Sequence, residues 1–186
     1  MRIRSAVFSL LMATILVGAA YAQAPAAAPK PAAAAKPTAG GAYVNANLAQ
    51  LMKGIFYPNS NVIFAAQDVN PNDVKPAKDP STAPNPLESA YGKWEAVENA
   101  GLALADAANL LTLPGRKCSN GLPTPLRNAD WPKLVAGLRT AGLQVYAAAK
   151  AKDQDKILEV AETMTTACSN CHDKYREKPA PAQRCK

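Results

Sequence analysis

The chain holds a single histidine, His172, in 186 residues. That scarcity excludes a three-histidine zinc site, a two-histidine iron site and bis-histidine ligation of a haem within one chain. Any chemistry that needs an imidazole falls to His172. Aromatic residues make up only 6% of the sequence, too few for the stacking platforms that hold single-stranded nucleic acid. Period-2 runs of β-branched residues, the mark of half-buried strands, are missing. Cysteine is confined to four positions, and none precedes Cys118, so a lipid-modified N-terminal cysteine is excluded. Acidic residues are outnumbered 14 to 21 by lysine and arginine, giving a net charge of +7. No nucleic-acid motif accompanies that basicity, and no nucleic-acid partner is expected.

The one long apolar run is N-terminal. Arg2 and Arg4 precede an apolar stretch from Ala6 to Ala20, and Ala20-Tyr21-Ala22 is a small-x-small cleavage site. This pattern predicts a signal peptide over residues 1–22, cleaved after Ala22, and an exported, periplasmic chain. The run is shorter than the roughly 20 residues that span a bilayer, so membrane association is expected only through the signal peptide or a partner. Cleavage removes Arg2 and Arg4 and lowers the net charge to +5. Residues 23–42 are Ala-, Pro- and Lys-rich and cannot bury a core; they read as a semi-extended linker. The domain is expected over residues 43–186, long enough for one well-buried core.

What fills that domain is helical periodicity. A first segment, about Val44 to Tyr57, places Val44, Leu48, Leu51 and Ile55 on one face, with Pro58 and Asn59 interrupting it before a short turn at Val62, Ile63 and Ala66. A second, about Leu87 to Leu113, carries Leu87, Tyr91, Trp94, Val97, Gly101, Leu104, Ala108 and Leu111. A third runs from about Trp131 to Lys152. A fourth, about Gln154 to Glu177, steps through Ile157, Ala161, Met164, Cys168, Cys171 and Tyr175, the stripe of a helix packed in a bundle. Asp130 and Asp153 are expected to cap the third and fourth helices. The expected fold is all-α, an antiparallel four-helix bundle.

Cys168-Ser169-Asn170-Cys171-His172 is C-x-x-C-H, the c-type haem attachment signature. Cysteines three apart lie on one side of a helix, so both sulfurs reach the two vinyl-derived carbons of one porphyrin, and the next residue offers its imidazole to the iron. Export fits, because such attachment takes place outside the cytoplasm. Competing readings are weaker. A redox C-x-x-C belongs in an α/β setting, adjacent Cys171 and His172 chelate zinc poorly, and nothing supports a hydrolytic triad. One covalent haem c is expected on the last helix, with Cys168 and Cys171 as thioether anchors and His172 as the proximal iron ligand. No catalytic constellation appears, so an electron carrier is expected rather than an enzyme.

The run CSNCHDKYR, Cys168 to Arg176, resembles the C-terminal haem motif of class II c-type cytochromes, the cytochrome c′ family, with Tyr175 and Arg176 at the places of an aromatic and a basic residue. The resemblance covers about residues 43–178 by helix count and motif position. The long Pro-rich loop after the first helix, two extra cysteines and the linker depart from it. It implies a distal side supplied by the first helix. Met52, in Leu51-Met52-Lys53, matches the Met-Lys pair of Met-ligated relatives. An alternative register puts Leu48 over the iron and leaves it five-coordinate, the state of relatives that bind small gases such as NO and CO. Arg176 is expected near the imidazole or a propionate, with Tyr175 also near the haem. The resemblance also implies a homodimer through the first two helices. The basic C-terminus suits an acidic redox partner protein, and the linker motivates a third reading, a haem subunit of a larger redox assembly.

Two cysteines remain, Cys118 and Cys185. In an oxidising compartment an even remainder predicts a disulfide, closing a loop of 67 residues and contributing roughly 3–4 kcal/mol.

Overall fold

The computed structural model describes residues 43–186. The expected signal peptide (1–22) and linker (23–42) lie outside the described residues. Four helices pack together, with no strand among the described residues. No helix among them is long and apolar enough to cross a membrane.

Helix α1 comprises an α segment Leu48–Leu51, a π turn Met52–Phe56 and an α segment Tyr57–Asp68. It starts later than the apolar pattern alone predicts because Asn47 caps it. The Asn47 side chain accepts from the Gln50 amide at 2.9 Å, and the Gln50 side chain accepts from the Asn47 amide at 2.8 Å. This reciprocal box satisfies two donors that a helix start leaves orphaned. Pro58 does not break α1, contrary to expectation. A proline in a regular helix lacks the N–H owed to the carbonyl four residues back and crowds that carbonyl. The wide turn before it relaxes the spacing: the Tyr57 amide bonds five residues back to the Met52 carbonyl, and the Asn59 side chain donates to the Ile55 carbonyl at 2.7 Å.

Helix α2 is Lys93–Ala107, prolonged by a 3-10 turn Ala108–Thr112. Leu87 is buried as expected but sits in a separate turn, Pro86–Glu88. The chain reverses between Ser89 and Gly92, so the α2 phase does not reach Tyr91, which is 70% exposed. Helix α3 is Trp131–Ala151 and α4 is Gln154–His172, extended by a π turn Asp173–Glu177. Lys152 closes α3 in the left-handed region, and Asp153 caps α4 by accepting from the Lys156 amide at 2.9 Å. Only two residues join these helices, so α4 folds back along α3. Asp130 stands at the start of α3 but makes no capping bond; its carboxylate is used elsewhere.

All four helices feed one core, in which Ile63, Val97, Leu104, Val145, Ile157 and Met164 are essentially inaccessible. At the α2–α3 crossing two glycines face each other. A Cβ on Gly101 would lie 2.8 Å from the Gly142 carbonyl oxygen, and one on Gly142 would lie 2.8 Å from that of Gly101. Backbone cannot yield as a flexible side chain can. Gly101→Ala is therefore expected to push the helices apart at a cost of about 1–3 kcal/mol, read as a lower denaturant midpoint at unchanged slope.

The connection between α2 and α3 is held by Arg116, only 4% exposed. Its guanidinium donates to the Leu110 carbonyl at 3.0 Å and to the Ala46 carbonyl, tying the approach to α1 onto the end of α2. Cys118 and Cys185 pair as a disulfide with a Cα separation of 5.1 Å, inside the usual range of about 4.4–6.8 Å. The C-terminal tail is thereby held against the loop, reinforced by the Asn120 side chain donating to the Arg184 carbonyl at 2.7 Å.

Candidate functional site

A cavity of about 610 Å³ opens at one end of the helix cluster, within the range of about 300–1,000 Å³ typical of small-molecule sites. All four helices and the C-terminal tail wall it. Cys168, Cys171, His172, Tyr175 and Arg176 line it from the end of α4, and Met52 lines it from α1. The structure thus gathers every residue named as a haem-site candidate from the sequence into one concavity, together with Cys185 of the disulfide.

The α1 wall is built on a step of four: Leu48, Met52, Phe56, Ser60 and Phe64 all line the cavity. A regular helix of 3.6 residues per turn would rotate such a series by about 40° at each step. The π turn at Met52–Phe56 inserts the extra residue that cancels part of this drift, so five successive turns face the same space. Leu51, Ile63 and Ala66 are buried on the adjoining face. Both Leu48 and Met52 therefore reach the cavity wall. Met164, the other methionine among the described residues, is wholly buried in the core and does not line the cavity.

The α4 stripe changes character along its length. Ile157, Ala161 and Met164 are fully buried, while Cys168, Cys171, His172 and Tyr175 are only half-buried because they face the cavity rather than another helix. Burial pushes the Cys168 thiol up. Cys171 is pushed up to about 11, by burial first and then by Cys168 and the Asp130 carboxylate. Both therefore stay protonated near neutrality. The imidazole of His172 is shifted down, by burial first and then by Arg176, with Glu177 and Asp173 pulling the other way. It is held in the neutral form, whose lone pair can ligate a metal. Among the described residues no three His, Cys, Asp or Glu side chains converge as a metal-holding group.

Tyr175 is fixed from several sides. Its hydroxyl donates to Asp130 Oδ1 at 2.7 Å, and the Asn128 side chain donates to that hydroxyl at 3.3 Å. Its ring meets Trp131 edge-on at 5.1 Å, and its carbonyl accepts from the Cys185 amide at 2.8 Å. Trp131 lines the cavity and donates to the Leu111 carbonyl at 3.1 Å; Trp94 lies elsewhere, bonded to Asn72 at 2.9 Å. Arg176 is exposed at the rim and pairs with Glu177.

Sequence reasoning missed the contributions of Phe56, Phe64 and Lys53 to the cavity. For Phe56 and Phe64 the signal was present in the repeated step of four from Leu48, but Pro58 masked it; Lys53 lies off that step, and the apolar pattern gave no signal for it. The role of Asp130 was also missed, since an aspartate before a Trp-Pro pair reads as a cap. Comparison with known proteins finds no match to this chain, whether among family models, curated proteins or solved structures.

Proposed function

We propose that this chain is an exported monohaem c-type electron carrier, an antiparallel four-helix bundle with its haem attached to the last helix. The observation that carries the proposal is the convergence of Cys168, Cys171, His172 and Met52 on one cavity of ligand size with mainly apolar walls. The donor set fits the group. A porphyrin brings four nitrogen ligands of its own, so the protein needs one or two axial ligands and not a three-residue cluster. Cys168 and Cys171 would hold the macrocycle through thioether bonds, and His172 and Met52 would be the protein's ligands to the iron. Bound haem supplies a one-electron couple between ferric and ferrous iron.

The chain's own residues do the rest. Leu48, Phe56, Phe64 and Trp131 provide the apolar walls that keep water from the site. Arg176 places positive charge beside the imidazole, which favours the reduced state by opposing positive charge on the iron. The basic C-terminus offers a docking face for an acidic redox partner. A dithiol oxidoreductase is disfavoured by the same geometry. Reactive C-x-x-C pairs sit at helix N-termini, where the thiolate is stabilised; here they occupy the last turns of α4, and Cys171 is pushed up to about 11.

Leu48, one turn from Met52 on the same wall, supports a second reading as a five-coordinate binder of NO or CO. Optical spectra separate the two. With Met52 as ligand, the oxidised protein shows a far-red absorption band and the reduced spectrum resists CO; Met52→Leu removes the band and makes the reduced spectrum respond. A wild-type protein that lacks the band and responds rapidly to CO carries the second reading instead.

A further inference from the structure

The end of α4 is the least buried part of that helix, yet it is the most heavily tethered. Residues Lys174, Arg176, Glu177 and Lys178 are exposed, and such helix ends ordinarily fray. Here Asp130, at the start of α3, holds two residues of the turn Asp173–Glu177, Lys174 and Tyr175. Its Oδ1 accepts from the Tyr175 hydroxyl at 2.7 Å, and its Oδ2, which accepts no hydrogen bond, forms an ion pair with Lys174 Nζ at 2.6 Å. Asn128, just before α3, and Trp131, its first residue, hold the Tyr175 hydroxyl and ring.

Asp130 gives up its local alternative to do this. It occupies the N-cap position of α3 and makes no side-chain bond to that helix's free amides, although capping by aspartate typically contributes about 1 kcal/mol. The N-terminal end of α3 still stabilises a carboxylate there, and Lys174 and Tyr175 hold its pKa below the usual range. The carboxylate therefore stays charged and keeps the Tyr175 hydrogen bond and the Lys174 ion pair. The tethered turn, Asp173–Glu177, is a π turn that begins at the residue after His172. A wide turn has an alternative in the ordinary α pitch, and changing pitch there would re-aim the side chains on either side of it.

We propose that Asp130 is a positioning residue for His172: through Tyr175 and Lys174 it locks the π turn Asp173–Glu177 and so fixes where the imidazole points in the cavity. The inference rests on the haem reading for its purpose, and on the network alone for its geometry. It assigns a role in setting the axial ligand to a residue on a different helix, 42 positions upstream in sequence.

The test uses the full chain, purified with whatever haem it carries, as wild type, Asp130→Ala, Asp130→Asn, Tyr175→Phe and the Asp130→Ala/Tyr175→Phe pair. Because His172 is the only histidine, its imidazole NMR signals need no assignment. Recorded on the reduced protein, they report the ring's environment directly. Asp130→Ala is expected to shift the imidazole signals or split them into more than one environment, and to move the visible spectrum and reduction potential. Tyr175→Phe, which keeps the ring against Trp131, should give a smaller change of the same kind. The double variant should be no worse than Asp130→Ala alone, because both remove one linked network. If Asp130→Ala fails to fold, Asp130→Asn decides: it keeps an acceptor for Tyr175, loses the charge facing Lys174, and should give an intermediate shift. Imidazole signals that coincide with wild type in all variants would overturn the proposal, even where the denaturation midpoint falls. A wild-type chain without haem would sink the functional reading, while the imidazole signals would still decide this one.

Discussion

A chain carrying Cys168→Ser and Cys171→Ser together is expected to lose covalent haem completely while keeping its helices. Neither sulfur is part of the closely packed core; both are half-buried on the cavity wall. Serine is close in size, and its hydroxyl can find water or a helix carbonyl at such a site, so the stability change should stay within about 1 kcal/mol. The functional change is all-or-none, because a hydroxyl does not form the thioether bond that a thiol forms with a vinyl group. Each single variant should retain one bond and a detectable covalent adduct. Intact-mass spectrometry of the denatured protein reads the result: one added haem in wild type and none in the double variant. Circular dichroism confirms that the helices persist. Covalent haem in the double variant would refute the assignment of these two cysteines.

Removing the Cys118–Cys185 bridge is expected to have the largest effect on stability. The bridge closes 67 residues of chain, and constraining an unfolded loop of that length contributes roughly 3–4 kcal/mol. For a domain of this size the loss corresponds to a fall of roughly 10 °C in Tm. The tail it anchors has little apolar burial of its own. Residues 178–186 hold to the body through Cys185, the Tyr175 carbonyl and the loop around Asn120. A Cys118→Ala/Cys185→Ala chain should therefore also expose the side of the cavity lined by Ser119, Cys185 and Lys186. Thermal melts of the oxidised, reduced and double-alanine proteins check the stability term. A shift below about 3 °C would show that the unfolded chain is already restricted by residual structure without the bridge.

The parts of this structure most legible in the sequence are those governed by periodicity. The extents of α3 and α4 follow directly from their apolar stripes, and Asp153 reads as a cap because nothing competes for its side chain. The gathering of Cys168, Cys171 and His172 on one wall is likewise implied by their spacing on a helix. The errors have local physical causes. Pro58 reads as an interruption because a regular helix cannot absorb it, and only the π turn at Met52–Phe56 makes room. That same turn turns a doubtful register into a continuous cavity wall. Tyr91 fits the α2 stripe by counting, but the reversal ending at Gly92 breaks the phase before it arrives. Asp130 satisfies every local rule for a cap, and its actual partners lie 44 and 45 residues away. Such a long-range choice between two acceptable bonds cannot be read from the segment itself.

The most direct test of the haem reading is peptide-level. The protein is produced with its N-terminal segment, in a host able to attach haem c, then purified and digested, and the peptide spanning Cys168 to His172 is isolated. That peptide is predicted to carry the haem absorbance and the mass of one haem, while the Cys118 and Cys185 peptides emerge linked and colourless. A Cys168–His172 peptide with two free thiols or an internal disulfide, and no haem absorbance, would contradict the account.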